Sequence, residues 1–305
     1  RDKQFRGVVL VAQNGQPIVR KAYGNANDEW DLPNTPDTKF RLGSITKQFT
    51  AVAILQLAER GKLKLGDPIK TFYPDAPASW DAITIHHLLN HTSGIPSYTN
   101  LPDFAPKLSR QALKPLDIVK LTQDKPLEFP PGEGYKYNNT GYILLGVVIE
   151  KVSGQSYATY LQKNIFDPLG MRDSGYDLAA PILKKRASGY QPDGTNAPFL
   201  DMTLPYAAGS LYSTVDDLLK WEQAMYTEKL ISRASFEKMT TPAKGEYAYG
   251  IVSQTLFGKQ AHGHGGGING FNTMLLRFPN EKATVMALAN QNGPAAERIA
   301  RDLSR

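Results

Sequence analysis

The sequence predicts an α/β (α+β) fold: an antiparallel sheet flanked by helices, with a mainly helical lobe inserted between the two halves of the sheet. Three observations carry this expectation. A β-branched hairpin pattern opens the chain, strand patterns return in series only after residue 249, and proline-punctuated helical patterns fill most of the interval. The expected boundaries are a discontinuous sheet domain over 1–66 and 206–305, and an inserted helical domain over 67–205. At 305 residues, with 41% hydrophobic and 10% aromatic content, the chain exceeds the usual single core and has the composition of a folded protein.

Phe5 to Ala12 reads as a buried strand from its Val-Val-Leu-Val run. Asn14-Gly15 supplies a hairpin turn, and Pro17 to Ala22 returns as the partner strand. Ile45 to Arg60 is a strongly apolar helix that begins at Ser44 and stops at Gly61. Thr84 caps a short helix running to His91, Pro115 to Thr122 is another, and Thr140 to Val152 closes at Ser153-Gly154. Tyr157 to Ile165 is helical and ends at Asp167-Pro168-Leu169-Gly170, whereas 171–205, rich in Gly, Pro and Asp, reads as long loops. Ala208 to Ser213 reads as sheet, and Thr214 caps the helix Val215 to Met225. Tyr249 to Leu256, Phe271 to Phe278 and Thr284 to Ala289 are consecutive strands, and Pro294 to Leu303 is a closing helix.

Composition narrows the chemistry. With no cysteine there is no disulfide, thiolate catalysis or Cys-ligated zinc. The net charge of +6 comes without a basic stripe interleaved with aromatics, so no nucleic-acid partner is expected. No apolar run reaches the ~20 residues of a membrane span, and Arg1-Asp2-Lys3-Gln4 does not open a signal peptide. A leader removed earlier would place the chain in the periplasm or outside the cell; a cytoplasmic location stays open.

The stretch with most chemical content is Phe40-Arg41-Leu42-Gly43-Ser44-Ile45-Thr46-Lys47. Helical spacing of three puts Ser44 and Lys47 on one face. A lysine desolvated by an apolar helix can lose its proton and activate a serine without a histidine triad. Ser-x-x-Lys is short, and a chain of this length holds about one by chance; a second copy, Ser235-Phe236-Glu237-Lys238, lies in an amphipathic stretch and reads as a solvated face. Further parts are needed: a proton shuttle, a polar partner for substrate, and N–H donors for an oxyanion. Tyr137-Asn138-Asn139, delivered by a stiff Pro130-Pro131-Gly132 turn, can supply the first two. Gly263-His264-Gly265-Gly266-Gly267 lets backbone approach a ligand closely, although a flexible hairpin is the plainer reading of such a segment.

Taken together and in this order, Ser44-x-x-Lys47, Tyr137-x-Asn139 and His264-Gly265-Gly266 resemble the three motifs of the penicillin-recognising serine hydrolases. The branch is similar to class C β-lactamases, DD-carboxypeptidases and related esterases. Leu88-Leu89-Asn90-His91-Thr92-Ser93-Gly94 and Phe166-Asp167-Pro168-Leu169-Gly170-Met171 agree, so the likeness covers nearly the whole chain. The resemblance implies Ser44 as the acylated nucleophile, Lys47 as its base or relay, and Tyr137 as a second acid–base. It implies Asn139, His264, Gly265 and Gly266 as substrate-side groups, and the backbone N–H groups of Ser44 and Gly267 as the oxyanion hole. No cofactor or metal enters.

Position 265 departs from the family, which has Thr or Ser there to help hold a substrate carboxylate. The expectation is therefore an acyl-hydrolase favouring small esters, with modest β-lactam hydrolysis. A D-alanyl-D-alanine carboxypeptidase or other D-amino-acid peptidase is the alternative, and a penicillin-binding sensor that acylates without turnover is the non-enzyme reading. The expected partners are small-molecule esters, β-lactams or D-peptides. A metal hydrolase would use His87 and His91 but lacks the glutamate of His-Glu-x-x-His. An α/β-hydrolase would need a Gly-x-Ser-x-Gly elbow, which the chain does not contain.

Overall fold

A computed structural model describes residues 5–105 and 107–305; the Arg1–Gln4 stretch judged above lies outside them. The first hairpin pairs β1 (Gly7–Gln13) with β2 (Gln16–Tyr23). Asn14 and Gly15 both take positive φ, 51° and 75°, as a two-residue turn matched to strand twist requires. One short pairing follows, β3 (Asn25–Asn27) with β4 (Leu32–Pro33), before β5 (Phe40–Arg41) leads to the central helix α1 (Thr46–Glu59). Every residue of α1 from Thr46 to Leu57 is buried, the polar Thr46, Lys47, Gln48, Thr50 and Gln56 included, so this helix is enclosed on all sides rather than presenting one face to solvent.

The middle of the chain supplies α2 (Ile85–Leu89), α3 (Pro115–Gln123), α4 (Asn139–Ser153), α5 (Tyr157–Leu161), a π turn over Gln162–Phe166 and the short α6 (Asp167–Leu169). Within the loops of 171–205 a short strand, β6 (Gly175–Tyr176), pairs with β7 (Leu211–Ser213), which also takes β5. Then come α7 (Tyr206–Gly209), α8 (Val215–Ala224) and α9 (Arg233–Thr240). The chain ends in the strand series β8 (Val252–Leu256), β9 (Lys259–Ile268), β10 (Phe271–Phe278) and β11 (Ala283–Ala289), closed by α10 (Ala295–Asp302). The main sheet has the order β2-β1-β11-β10-β9-β8 and is antiparallel at every pairing. One continuous core on the α1 side joins Val8, Phe49, Trp80, Ile143 and Trp221; a smaller one on the opposite face joins Phe5, Met274 and Phe278 to Ala296 and Ala300 of α10.

Several boundaries differ from the sequence expectation. Ser44 lies in a 3-10 turn, Gly43–Ile45, and the α-helix proper starts at Thr46. Ala208 to Ser210 is not sheet: Tyr206–Gly209 forms a helical turn seated on α4, where a Cβ at Gly146 would strike the Tyr206 ring and Ala207. The strand expected from Tyr249 begins only at Val252, because Gly250 turns at φ +67° directly against the Lys47 carbonyl. The glycine-rich 263–267 segment is no loose hairpin. It is the body of β9, held by seven paired positions on β10, and that ladder outweighs the weak strand propensity of glycine. In the second Ser-x-x-Lys copy Ser235 points inward beside Glu59 while Lys238 is exposed, so the two do not meet.

Arg277 of β10 forms an ion pair with Glu222 of α8 inside the core, two parallel bonds of 2.6 and 2.7 Å with both side chains at most 2% exposed. Removing one partner strands the other charge away from water. Glu222→Ala should therefore lower stability by about 3–5 kcal/mol in urea unfolding, whereas Glu222→Leu combined with Arg277→Met should recover most of that loss.

Candidate active site

The site forms where three distant segments meet at the β9 edge of α1. Gly43, at φ +54°, brings the Ser44 turn so close to β9 that an added Cβ would sit 2.9 Å from the Gly267 nitrogen. From the other side, a Cβ at Gly266 would lie 1.9 Å from the Leu42 carbonyl, which accepts a bond from Thr273 Oγ1 at 2.8 Å. Glycine is required at both positions by this approach. The result places the Ser44 hydroxyl, half-buried, at a cleft that Gly267 also lines.

Lys47 is fully buried one turn along α1, and its Nζ faces three acceptors: Asn139 Oδ1 at 2.8 Å, the Ala208 carbonyl at 2.9 Å and Ser44 Oγ at 3.1 Å. Burial, with no carboxylate among those partners, pushes its pKa well below the usual ammonium range. Once deprotonated, the amine would have two N–H donors and one lone pair. With the two carbonyl oxygens taking the donors, the lone pair would be left for the Ser44 O–H.

Tyr137 reaches the site from the unstructured run before α4, and Lys47 Nζ lies 4.8 Å from its ring centre. Its hydroxyl is buried near enough to Ser44 to feel it, yet in no hydrogen bond of ordinary geometry. Burial raises its pKa, and the Ser44 hydroxyl partly offsets that rise. Asn139, the first residue of α4, is held by both ends of its amide: Oδ1 on Lys47 and Nδ2 on Thr99 Oγ1 at 3.1 Å.

His264 faces the site from β9, its ring 6.0 Å from that of Tyr137 and its Nε2 2.9 Å from the Tyr247 hydroxyl. Burial and the nearby Lys47 drop its pKa to about 4, so the ring is neutral at pH 7. Gly265 does not share this direction. Strand alternation sends its Cβ toward Met274 Sδ, 3.5 Å away on the α10 face, beside a recess of about 280 Å³ that includes Glu246, Glu297 and Arg301. A side chain at 265 therefore points into that recess rather than at Ser44.

Of the residues expected from sequence, Ser44, Lys47, Tyr137, Asn139, His264, Gly266 and Gly267 gather here. Sequence reasoning missed Tyr247, the Ala208 carbonyl and Thr99. The first is an ordinary tyrosine in a loop and the second a main-chain atom, and neither leaves a motif. The remaining histidines are engaged in packing and capping: His86 Nδ1 lies 2.6 Å from the Tyr249 hydroxyl, and His87 joins Thr84 in a capping box at the start of α2. Among the described residues no group of three or more His, Asp or Glu is placed to hold a metal, and no helix is long and apolar enough to cross a membrane.

This fold and this gathering of a serine, a buried lysine and a tyrosine define a serine hydrolase of the β-lactamase/transpeptidase type. The chain belongs to the beta-lactamase family, whose model matches residues 1–305. It is similar to a penicillin-binding protein from Bacillus halodurans, at 32% identity and a TM-score of 0.89, covering 99% of this chain and 97% of that one. A D-amino acid amidase from Ochrobactrum anthropi SV3 superposes at a TM-score of 0.86 with 26% identity, over 98% of this chain and 93% of the other. A teichoic acid D-alanine hydrolase from Staphylococcus aureus is 29% identical over 97% of this chain and 72% of its own length.

The neutral His264 gives a direct check. Its folded pKa lies below the unfolded 6.5, so the unfolded chain binds more protons between pH 4 and 6.5, and stability should fall as pH drops through that window. The imidazole resonance followed by NMR should titrate with a midpoint near 4; a midpoint near 6.5 would contradict the buried, neutral assignment.

Proposed function

We propose that the protein hydrolyses small D-aminoacyl or simple acyl esters and amides through an acyl-enzyme on Ser44. The observation that carries this reading is the Lys47 amine, its two N–H donors directed at carbonyl oxygens and its remaining contact the Ser44 hydroxyl at 3.1 Å. Ser44 Oγ attacks the substrate carbonyl carbon as its proton passes to Lys47 Nζ. The new ammonium then has three donors for its surroundings. The developing oxyanion takes the backbone N–H groups of Ser44 and Gly267, in a site that needs no reorganisation. Tyr137 hands a proton to the leaving oxygen or nitrogen, and a water reverses the sequence to release the acid. Asn139 orients Lys47 and offers its amide to substrate, and His264 with Tyr247 supports the phenol side as neutral groups.

The cleft supports a small, uncharged acyl group. It measures about 130 Å³, and its walls include Tyr98, Thr99, Phe104, Leu200 and Ile268, none of them charged. A cavity of about 150 Å³ holds benzene, so an acyl group of about six heavy atoms fits and an alanyl group does so with room left. That small, uncharged cleft is the physical basis for preferring small esters and amides over bulkier β-lactams and D-alanyl-D-alanine peptides. The names of the D-amino acid amidase and the teichoic acid D-alanine hydrolase point to the same substrate class. An envelope location outside the cytoplasm accords with it.

Three outcomes follow. A fluorophosphonate probe should label Ser44 and leave Ser235 untouched on peptide mapping, and label at Ser235 would overturn the assignment. Tyr137→Phe should lower turnover of a D-alanine anilide by ~10²-fold or more, as loss of a general acid–base does; an unchanged rate removes Tyr137 from the mechanism. Across p-nitrophenyl esters the rate should fall once the acyl chain exceeds about six heavy atoms.

A further inference from the structure

We infer that His91 is a positioning residue that fixes Tyr137 through three contacts: two on the main chain flanking the tyrosine and one on its ring. The inference rests on the reading of Tyr137 as the second acid–base. Gly134 to Asn138 belong to neither helix nor strand, so nothing within that run sets where the Tyr137 ring sits. The run is held from outside. Lys136 N–H donates to the His91 carbonyl at 3.1 Å, and Asn138 N–H donates to His91 Nδ1 at 3.2 Å. Between those two bonds the His91 ring packs on the Tyr137 ring at a centroid distance of 4.3 Å. A residue one position before Tyr137 and one position after it are thus tied to the same histidine.

The cost of this arrangement is visible. His91 is buried and takes φ +62°, a conformation that costs a non-glycine residue roughly 1–3 kcal/mol. Its Nε2 is buried without a hydrogen-bond partner. Because Nδ1 accepts from a main-chain N–H, the proton of the neutral ring must be on Nε2, and that tautomer leaves a buried donor unused. A histidine kept only to fill space would not need this tautomer or this backbone. The groups facing the ring are Tyr135, Tyr137, Tyr142 and Tyr247, with Lys47 and His264 beyond them. Burial and those two bases hold the ring neutral, which keeps Nδ1 an acceptor. A protonated ring would turn Nδ1 into a donor facing the Asn138 N–H and break the tie.

Asparagine is the conservative replacement, since it tolerates positive φ and its Oδ1 stands where Nδ1 does. Leucine keeps the bulk and loses the acceptor. The test measures the second-order rate of Ser44 phosphonylation by a fluorophosphonate in the wild type, His91→Leu, His91→Asn, Tyr137→Phe and the His91→Leu/Tyr137→Phe pair. The expected result is a loss of ~10-fold or more for His91→Leu, a loss of under about 3-fold for His91→Asn, and no further loss from His91→Leu once Tyr137 is Phe. Equal loss in both backgrounds, or an Asn variant as slow as the Leu variant, overturns the inference. If Ser44 is not labelled at all, or if Tyr137→Phe alone changes nothing, it is the functional reading that fails. Should His91→Leu not fold, ¹⁵N NMR of the wild-type imidazole decides: a proton on Nε2 is required, and a proton on Nδ1 rules the contact out.

Discussion

The whole site depends on keeping one amine out of water. Lys47 has no carboxylate beside it, and only two carbonyl oxygens and a serine hydroxyl satisfy its polar head. In bulk water the same amine would be a solvated ammonium. Here burial works against the charged form, and the surrounding acceptors fix where the amine sits. The rest of the molecule can be read as the apparatus that makes such burial stable: an α1 enclosed on all sides, a sheet packed on one side of it, and α4 and α7 delivering Asn139 and the Ala208 carbonyl from the other.

Close backbone approach is the second constraint. The Ser44 turn and β9 come together only because Gly43 and Gly266 have no side chains, and Thr273 Oγ1 ties the two by bonding the Leu42 carbonyl. This contact brings the Gly267 backbone to the Ser44 side of the cleft, as the oxyanion pocket proposed above needs. It also explains the glycine density of β9. Gly263 and Gly266 are crowded by backbone or side-chain atoms, whereas Gly265 and Gly267 have space around them. The first pair are glycines for packing; the second leave the recess and the cleft open.

Much of this was legible beforehand. The Asn14-Gly15 hairpin, the Thr84, Thr214 and Gly154 caps and the antiparallel series after residue 250 follow from local chemistry, since turn φ values and orphan N–H groups demand particular residues. The serine–lysine spacing was equally plain. What local propensity could not show was β9: four glycines in five positions carry no strand signal, and only the ladder with β10 makes a strand of them. In the same way Ala208 to Ser210 carries no local signal against a strand, and only the packing of Tyr206 and Ala207 on Gly146 makes a helical turn of the residues before Leu211.

By itself the sequence determined the first hairpin, the main helices and the last two strands, the spacing that puts Ser44 and Lys47 on one face, and the family likeness carried by three ordered motifs. It also showed that cysteine chemistry has no place in this chain. Only the tertiary structure decided that His264 and Gly266 face the serine while Gly265 faces α10, that a main-chain carbonyl and Thr99 complete the polar shell of Lys47 and Asn139, and that His91 grips the strand-less run holding Tyr137. The reason is physical. Periodicity and capping are properties of neighbours along the chain, whereas burial, a lone pair's direction and the face a strand presents belong to contacts between residues some forty to more than two hundred positions apart.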